Sequence, residues 1–267
     1  MSKENFFDDI GPGYEGVAEF YELFSDNTDL PFYLEYAQRC GSPILDIAAG
    51  TGRVTRYLAQ QGFHVTALES SPSMLQHSKY LVSRLTPEVR SRIELVSGNM
   101  MNFSLDRKYS LIIIPNSFGH AMTTGEQLST LQSIHKHLSD DGLFILDLFP
   151  GAVMNEHAKF QDNPTRMQDG RTVIREGEFH VDFVKQILRL DLRYVVFDKQ
   201  GIEENEVMVT SGASVIFNRE ADLLIHFSGF EVEQELGGFD SSPYTIESGR
   251  RIFILRKRKM LEADEGV

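Results

Sequence analysis

Apolar positions along this chain change period several times, and each change marks an element. Tyr14, Val17, Ala18, Tyr21 and Phe24 recur at helical spacing and predict an amphipathic helix after the Gly11-Pro12-Gly13 break. Asp29 and Pro31 suit the start of a second helix, with Tyr33, Tyr36 and Ala37 on one face and Gly41 at its end. Ile44, Leu45 and Ile47 then form a short strand-like run interrupted only by Asp46. Ala48-Ala49-Gly50-Thr51-Gly52 carries that strand into a helical face of Val54, Tyr57 and Leu58. Phe63 to Leu68 predicts a second strand ending at Glu69. Ser71-Pro72 opens a helix whose inner side holds Met74, Ser78, Leu81, Val82 and Leu85.

Ile93 to Val96 reads as a third strand. Tyr109 to Ile114 is a fourth, nearly all apolar and therefore central. A helix with Leu128, Leu131, His135 and Leu138 follows, and Asp141-Gly142 turns into the fifth strand, Leu143 to Phe149. Strands alternating with helices at this spacing predict right-handed crossovers and a parallel sheet covered on both faces. From Thr172 to Phe217 the helical period weakens and β character dominates, with a hairpin turn over Asp198 to Gly201, which predicts an antiparallel β insertion. Glu220 to Ser228 returns to helix. Phe230 to Leu236 and Arg250 to Lys257 supply two last strands, expected as an antiparallel edge. The organisation expected is a helical lid over 1–40, an α/β core over 41–150, the insertion as a substrate or dimer cap over 151–217, the end of the core over 218–258, and a tail over 259–267.

Composition narrows the partners. The 267 residues carry a net charge of −13, which opposes nucleic-acid binding because that affinity rests on Lys and Arg neutralising phosphates. The run Arg256-Lys257-Arg258-Lys259 reads as a solvated strand end, with a weak electrostatic tether as the sharper alternative. A single cysteine, Cys40, excludes an internal disulfide, and no Cys/His spacing predicts a metal site. Without a signal-peptide core or a membrane-length apolar run, the chain is expected to be cytoplasmic, with no membrane partner, as a monomer or homodimer.

The glycine turn carries the chemistry. A dinucleotide fingerprint needs a third glycine where Thr55 stands, and Asp46 would meet pyrophosphate unfavourably. A phosphate-cradling loop fails too, since no Gly-Lys-Ser/Thr follows. A cationic, phosphate-free ligand such as S-adenosylmethionine suits these residues better. Asp46 favours its amino-acid end, and small Ala48 and Gly50 let backbone approach. Glu69 is placed to accept the ribose hydroxyls, and Asn99 with Met100 to meet the adenine. The plainer alternatives are a locally paired buried acid at Asp46, a solvated strand end at Glu69, and core aromatics at Tyr14 and Tyr21.

These stretches together resemble the class I S-adenosylmethionine-dependent methyltransferases. Asp46 to Gly52 is similar to their first motif, Glu69 to their second, and Gly98-Asn99-Met100 to their adenine-contacting turn. Ile112 to Asn116 is similar to the motif after strand four, and Leu138 to Leu146 to the L-x-x-G-G-x-L segment. Ala48 departs from the usual first glycine, and Asn99 from the commoner Asp. The resemblance implies a Rossmann-like, mostly parallel sheet with an antiparallel last strand, and S-adenosylhomocysteine as product without a metal. It extends the cofactor cradle to Thr51, Gly52, Ser70, Met74, Met101, Pro115 and Asn116, and it implies closure over the cofactor by Tyr14 and Tyr21.

Methyl transfer from a sulfonium is an in-line displacement, for which alignment in a dry pocket is the main requirement. An oxygen acceptor usually wants a general base, whereas an amine needs only to be unprotonated. His120, Tyr21 and Asn116 are the catalytic candidates, His120 being either a base or a structural donor. Phe24, Ser117, Phe118, His120, Asp147 and Tyr244 are the substrate candidates. Pro115-Asn116-Ser117-Phe118 is not the Asn-Pro-Pro-Tyr/Phe signature of planar exocyclic amine methylation. The loop Gly237 to Gly249 loosely resembles that of bacterial α-N-methyltransferases acting on modified peptides such as cypemycin and plantazolicin. The leading expectation is N-methylation of a small molecule or short peptide. Sugar or small-molecule O-/N-methylation, a non-catalytic sensor and a nicotinamide oxidoreductase are the rivals.

Overall fold

A computed structural model describes Ile10, residues 13–151 and residues 154–259; Gly11, Pro12 and the tail from Met260 lie outside the described residues. The seven-stranded sheet is built from β1 (Ile44–Ile47), β2 (Val65–Glu69), β3 (Ile93–Ser97), β4 (Tyr109–Ile114), β5 (Leu138–Leu148), β11 (Phe230–Leu236) and β12 (Arg251–Lys257). Their order is β11-β12-β5-β4-β1-β2-β3. β1 to β5 pair in parallel, and β12 runs antiparallel to both β5 and β11. The chain leaves β1 towards β2 on one side and returns to β4 on the other, so a crevice opens beyond the C-terminal ends of β1 and β4.

Helices cover both faces. On one side α2 (Leu30–Cys40) and α3 (Arg53–Gln60) bury Phe32, Tyr33, Val54 and Leu58 against Ile44, Leu111, Ile113 and Ile145. On the other, α6 (Thr124–His137) and α7 (Asn218–Phe227) bury Leu131, Ile134, Leu224 and Ile225 against Leu45, Ile47, Ile112 and Phe144. Adjacent residues of β1 and β4 enter opposite cores, as the two-residue strand period requires. Helix α4 (Pro72–Ser83) is capped by the Ser71 hydroxyl, which accepts from Met74 N–H, and the short α5 (Pro87–Arg90) precedes β3.

The insertion is a separate antiparallel sheet, β10 (Glu203–Ser214), β9 (Ile187–Phe197), β8 (Thr172–Asp182) and β6 (His157–Gln161), with β7 (Thr165–Arg166) paired to β8. Its inner face holds Val173, Leu192, Tyr194 and Val196, which pack on Val17 and Phe20 of the N-terminal segment.

Several boundaries differ from expectation. The helix predicted from Tyr14 is reduced to α1 (Ala18–Tyr21) and a 3₁₀ turn over Glu22–Phe24. Gly13 (φ 76°) and Gly16 (φ 87°) take left-handed conformations that a helix cannot continue through. The turn expected at Asp141-Gly142 is instead an irregularity within β5, where pairing jumps from Tyr109↔Leu138 to Leu111↔Leu143. β6 and β7 lie in a stretch where no strand is predicted; their alternation is mostly polar, because β6 is an exposed edge.

Candidate active site

The turn after β1 alternates its backbone handedness. Ala48 (φ 54°), Gly50 (φ 59°) and Gly52 (φ 81°) are all left-handed, so the chain coils tightly before α3. A Cβ on Gly50 would meet nothing within 4 Å, so the backbone there faces open space. Ala48 holds its conformation against the steric preference of an L-residue.

Three adjoining cavities meet beyond the ends of β1 and β4. The first, about 360 Å³, is lined by Gly50, Glu69, Ser70, Met74, Asn99, Met100 and Met101, among others. The second, also about 360 Å³, is lined by Asp46, Ala48, Thr51, Arg53, Pro115, Asp147, Arg175 and Arg250, with Phe24 on its rim. The third, about 300 Å³, lies under the insertion sheet against Gly119, His120, Asp147, Ser211 and Gly212. Tyr14 and Asn116 line all three; Tyr21 and Ser117 line the first two. Asn116 adopts φ 47°, a left-handed conformation that Asn tolerates better than most residues, and this turns the chain sharply at the end of β4.

Glu69 is 7 % exposed, and both its oxygens accept backbone N–H groups, Gly50 at 2.7 Å and Ser71 at 2.7 Å. It therefore ties the glycine turn to the start of α4 while keeping further lone pairs for a ligand. Asp46 is 1 % exposed. Its Oδ2 accepts from the Thr55 hydroxyl at 2.7 Å, whereas Oδ1 has no hydrogen-bond partner. Burial pushes its carboxyl up to about 7, against the downward pull of the Thr55 hydroxyl and the Arg53 charge. A buried carboxylate oxygen without a donor is costly. The Asn99 Oδ1 accepts from Met101 N–H at 2.9 Å, which leaves its NH₂ to donate.

The N-terminal segment is latched over these cavities by three acids. Glu15 accepts from Ser73 N–H at 3.0 Å and from the Ser71 hydroxyl. Glu22 pairs with Arg56 at 2.7 Å and accepts from the Thr51 hydroxyl, and Asp29 takes a two-pronged bond from Arg53 at 2.6 Å on each arm. Tyr14 and Tyr21 meet edge to face at 5.2 Å, and burial raises both hydroxyl pKa values.

His120 sits in a 3₁₀ turn over Phe118–His120, and its Nδ1 lies 3.0 Å from the Gly212 carbonyl oxygen. A carbonyl only accepts, so Nδ1 carries the proton and Nε2 of the neutral ring keeps its lone pair. The same loop approaches β10 closely at Gly119, where a Cβ would lie 3.2 Å from Ala213. Asp147, 2 % exposed, is held by both its oxygens to Arg250 Nη1 at 2.9 and 2.8 Å. Burial still raises its carboxyl above the usual range, with Arg250 opposing.

Three expected site residues stand elsewhere. Phe118 is 1 % exposed within the sheet core, because the 3₁₀ turn directs its ring inward. Tyr244 donates to Asn218 Oδ1 at 3.1 Å, lies under the Arg251 guanidinium, and lines none of the three cavities. Gly52 ends the turn as the cap of α3 and also lines none of them. Conversely, Arg53, Arg175, Ser211, Gly212 and Arg250 line the cavities without having been predicted. The acids at 22 and 29, which face Arg56 and Arg53, were a readable charge pattern. The insertion residues had no local signal. One His/Glu cluster among the described residues has metal-ligand chemistry, His157, Glu178 and His180, and none of its members lines these cavities.

Residues 44–142 match a family model described as a methyltransferase domain. A Streptomyces fradiae dTDP-3-amino-3,6-dideoxy-α-D-glucopyranose N,N-dimethyltransferase is 28% identical over 255 residues, covering 90% of this chain and 91% of its own. A Streptomyces cypemycin N-terminal methyltransferase is 24% identical over 231 residues, 82% of this chain and 84% of its own. Among solved structures, the CcbJ methyltransferase of Streptomyces caelestis superposes with a TM-score of 0.75 at 18% identity, covering 92% of this chain and 98% of that one. With the motif order and these similarities in agreement, residues 44–142 form a methyltransferase domain, and the chain is an S-adenosylmethionine-dependent methyltransferase with a Rossmann-like sheet.

Proposed function

We propose that this enzyme methylates an amine nitrogen of a small molecule or short modified peptide, at the point where the three cavities meet. One observation carries the reading: Tyr14 and Asn116 are common to all three cavities, with His120 between the first and the third. A donor filling the first two cavities would present its methyl group there, and an acceptor in the third would approach it from the opposite side, as in-line displacement requires.

On this reading the first cavity takes the nucleoside. Glu69 receives the ribose hydroxyls, Asn99 donates to the adenine, and Met74, Met100 and Met101 supply apolar contact. The second takes the methionine part, its ammonium meeting the unpartnered Oδ1 of Asp46. S-Adenosylmethionine supplies an electrophilic methyl group on a good neutral leaving group, so the chain has to align and desolvate more than to activate. His120 lines the third cavity, and its Nε2 lone pair, left over by the Nδ1 bond, would take the proton that an ammonium substrate must lose. One relative above is named an N,N-dimethyltransferase and the other an N-terminal methyltransferase, which supports nitrogen over oxygen. An amino sugar is the second reading, favoured by the relative aligned over 90% of this chain.

Calorimetry with S-adenosylhomocysteine tests the cofactor half. Binding to the wild type should be tight and should weaken at least tenfold in Glu69→Ala and in Asp46→Ala; unchanged affinity in both would overturn the residue assignment. Incubation with S-adenosylmethionine and a panel of amines, followed by mass spectrometry, tests the acceptor half. Gain of one CH₂ is the expected result, and methylation confined to alcohols would refute it.

A further inference from the structure

We infer that the acceptor is an amine carried on an apolar or aromatic body without phosphate, rather than a nucleotide-linked amino sugar. This rests on the amine reading above and names the substrate class of the third cavity. Its described walls are Phe149, Met154, Phe160, Phe179, Leu188 and Leu190, contributed by the segment after β5 and three strands of the insertion, and they include no Lys or Arg. Only the end next to Asn116, His120 and Asp147 is polar.

The polar groups at that end are largely committed. The Ser214 hydroxyl donates to Gly119 O at 3.1 Å and accepts from Gln127 Nε2 at 3.1 Å. The His120 Nδ1 is bonded to Gly212, and both Asp147 oxygens are held by Arg250. Among the described lining residues, the Asn116 side-chain amide, the Tyr14 and Ser211 hydroxyls and His120 Nε2 remain for a ligand. A sugar ring brings several hydroxyls, and each one buried without a partner costs affinity. One amine needs one or two partners, which this end provides.

Charge points the same way. A diphosphate wants unpaired cations, and the nearby arginines are already neutralised. Arg175 is paired with Asp162 at 2.6 Å and lies over the Phe24 ring at 4.7 Å, while Arg250 is paired with Asp147 and lies over Phe149 at 4.5 Å. The mouth is aromatic instead: Phe149 and Phe160 remain 45% and 39% exposed. Phe160 holds its place because Gly177 stands directly across the strand pair, where a Cβ would lie 2.2 Å from its ring. That ring lies across β8 and gives a flat apolar body a surface to extend along.

The test uses the full chain with S-adenosylmethionine and three acceptors followed by mass spectrometry: an arylalkylamine, the alcohol of the same shape, and a dTDP-linked amino sugar. The arylalkylamine should gain CH₂ with kcat/KM at least tenfold above the amino sugar. Phe160→Ala should lower its kcat/KM about tenfold, mainly through KM, with S-adenosylhomocysteine affinity unchanged. Preference for the amino sugar, or a Phe160→Ala enzyme equal to wild type, would overturn the inference while leaving amine methylation standing. Methylation of the alcohol alone would instead overturn the amine reading. No transfer to either amine, with S-adenosylhomocysteine still bound, would overturn both.

Discussion

His120 Nδ1 lies 3.0 Å from the carbonyl oxygen of Gly212, a bond spanning 92 residues that joins the loop after β4 to β10 of the insertion. It sets the imidazole tautomer and ties the third cavity to the wall of the first. A change that loosens the insertion therefore also disturbs a ring that lines both cavities.

Replacement of His120 by Asn separates the two roles. The Asn amide keeps a donor near the Nδ1 position for the Gly212 carbonyl and removes Nε2. kcat is expected to fall by about 10²-fold or more, the usual contribution of a positioned base, while S-adenosylhomocysteine affinity stays at the wild-type value. Steady-state kinetics beside calorimetry check this; a parallel loss of affinity would assign His120 to structure alone.

Asp46 should make cofactor affinity depend on pH. Burial raises its carboxyl to about 7 in the folded chain, above the value of about 3.9 in an unfolded one. Without ligand its contribution to stability is therefore present below about pH 4 and is lost as pH rises through about 7. A bound ammonium favours the ionised form and reverses the sign for binding. S-Adenosylhomocysteine affinity should rise from about pH 6 to about pH 8, and binding near pH 7 should release a proton. Calorimetry in two buffers of different ionisation enthalpy measures that proton, and Asp46→Asn should abolish its release.

Arg250→Met strands a buried carboxylate. Asp147 is 2% exposed, and both its oxygens accept from this guanidinium, its one charged partner, beside a backbone bond from Asn116. Loss of the partner should cost about 3–5 kcal/mol in urea denaturation, and more at high pH, where Asp147 must ionise. Asp147→Leu combined with Arg250→Met should recover most of the loss, since no charge is then left buried.

Ala48→Gly removes a steric penalty. At φ 54° an alanine costs about 1–2 kcal/mol that glycine does not. The greater freedom of glycine in the unfolded chain offsets about 0.4–1 kcal/mol of this. Thermal unfolding should show a variant equal to wild type or up to about 1.5 kcal/mol more stable. Ala48→Val should be markedly destabilised, because a β-branched residue resists this conformation more strongly.

The local parts of this protein were legible in its residues. Ile44 to Ile47 announces a buried strand through its apolar run, and Gly50 and Gly52 announce a coiled turn because few other residues accept those angles. Asp46, Glu69 and Asn99 followed from their positions at strand ends, where this kind of sheet opens its crevice. The inward turn of Phe118 was not legible, since a loop aromatic has the same appearance whether it enters the core or lines a cavity. Tyr244 was misjudged for the same reason: its partner Asn218 is 26 residues away in a different element.

By itself, the sequence determined the order of strands and helices in the core sheet, the glycine turn and the acids at the strand ends, because these depend on backbone period and on conformations only a few residues adopt. The third cavity, our proposed acceptor site, was decided by the tertiary structure alone. Its walls join Phe149 after β5, Phe179 on β8, Leu190 on β9 and Gly212 on β10. Its polar end is held by contacts such as Arg250 to Asp147, 103 residues apart. Such contacts arise only when the insertion sheet packs over the core, and no local spacing encodes the angle at which two sheets meet.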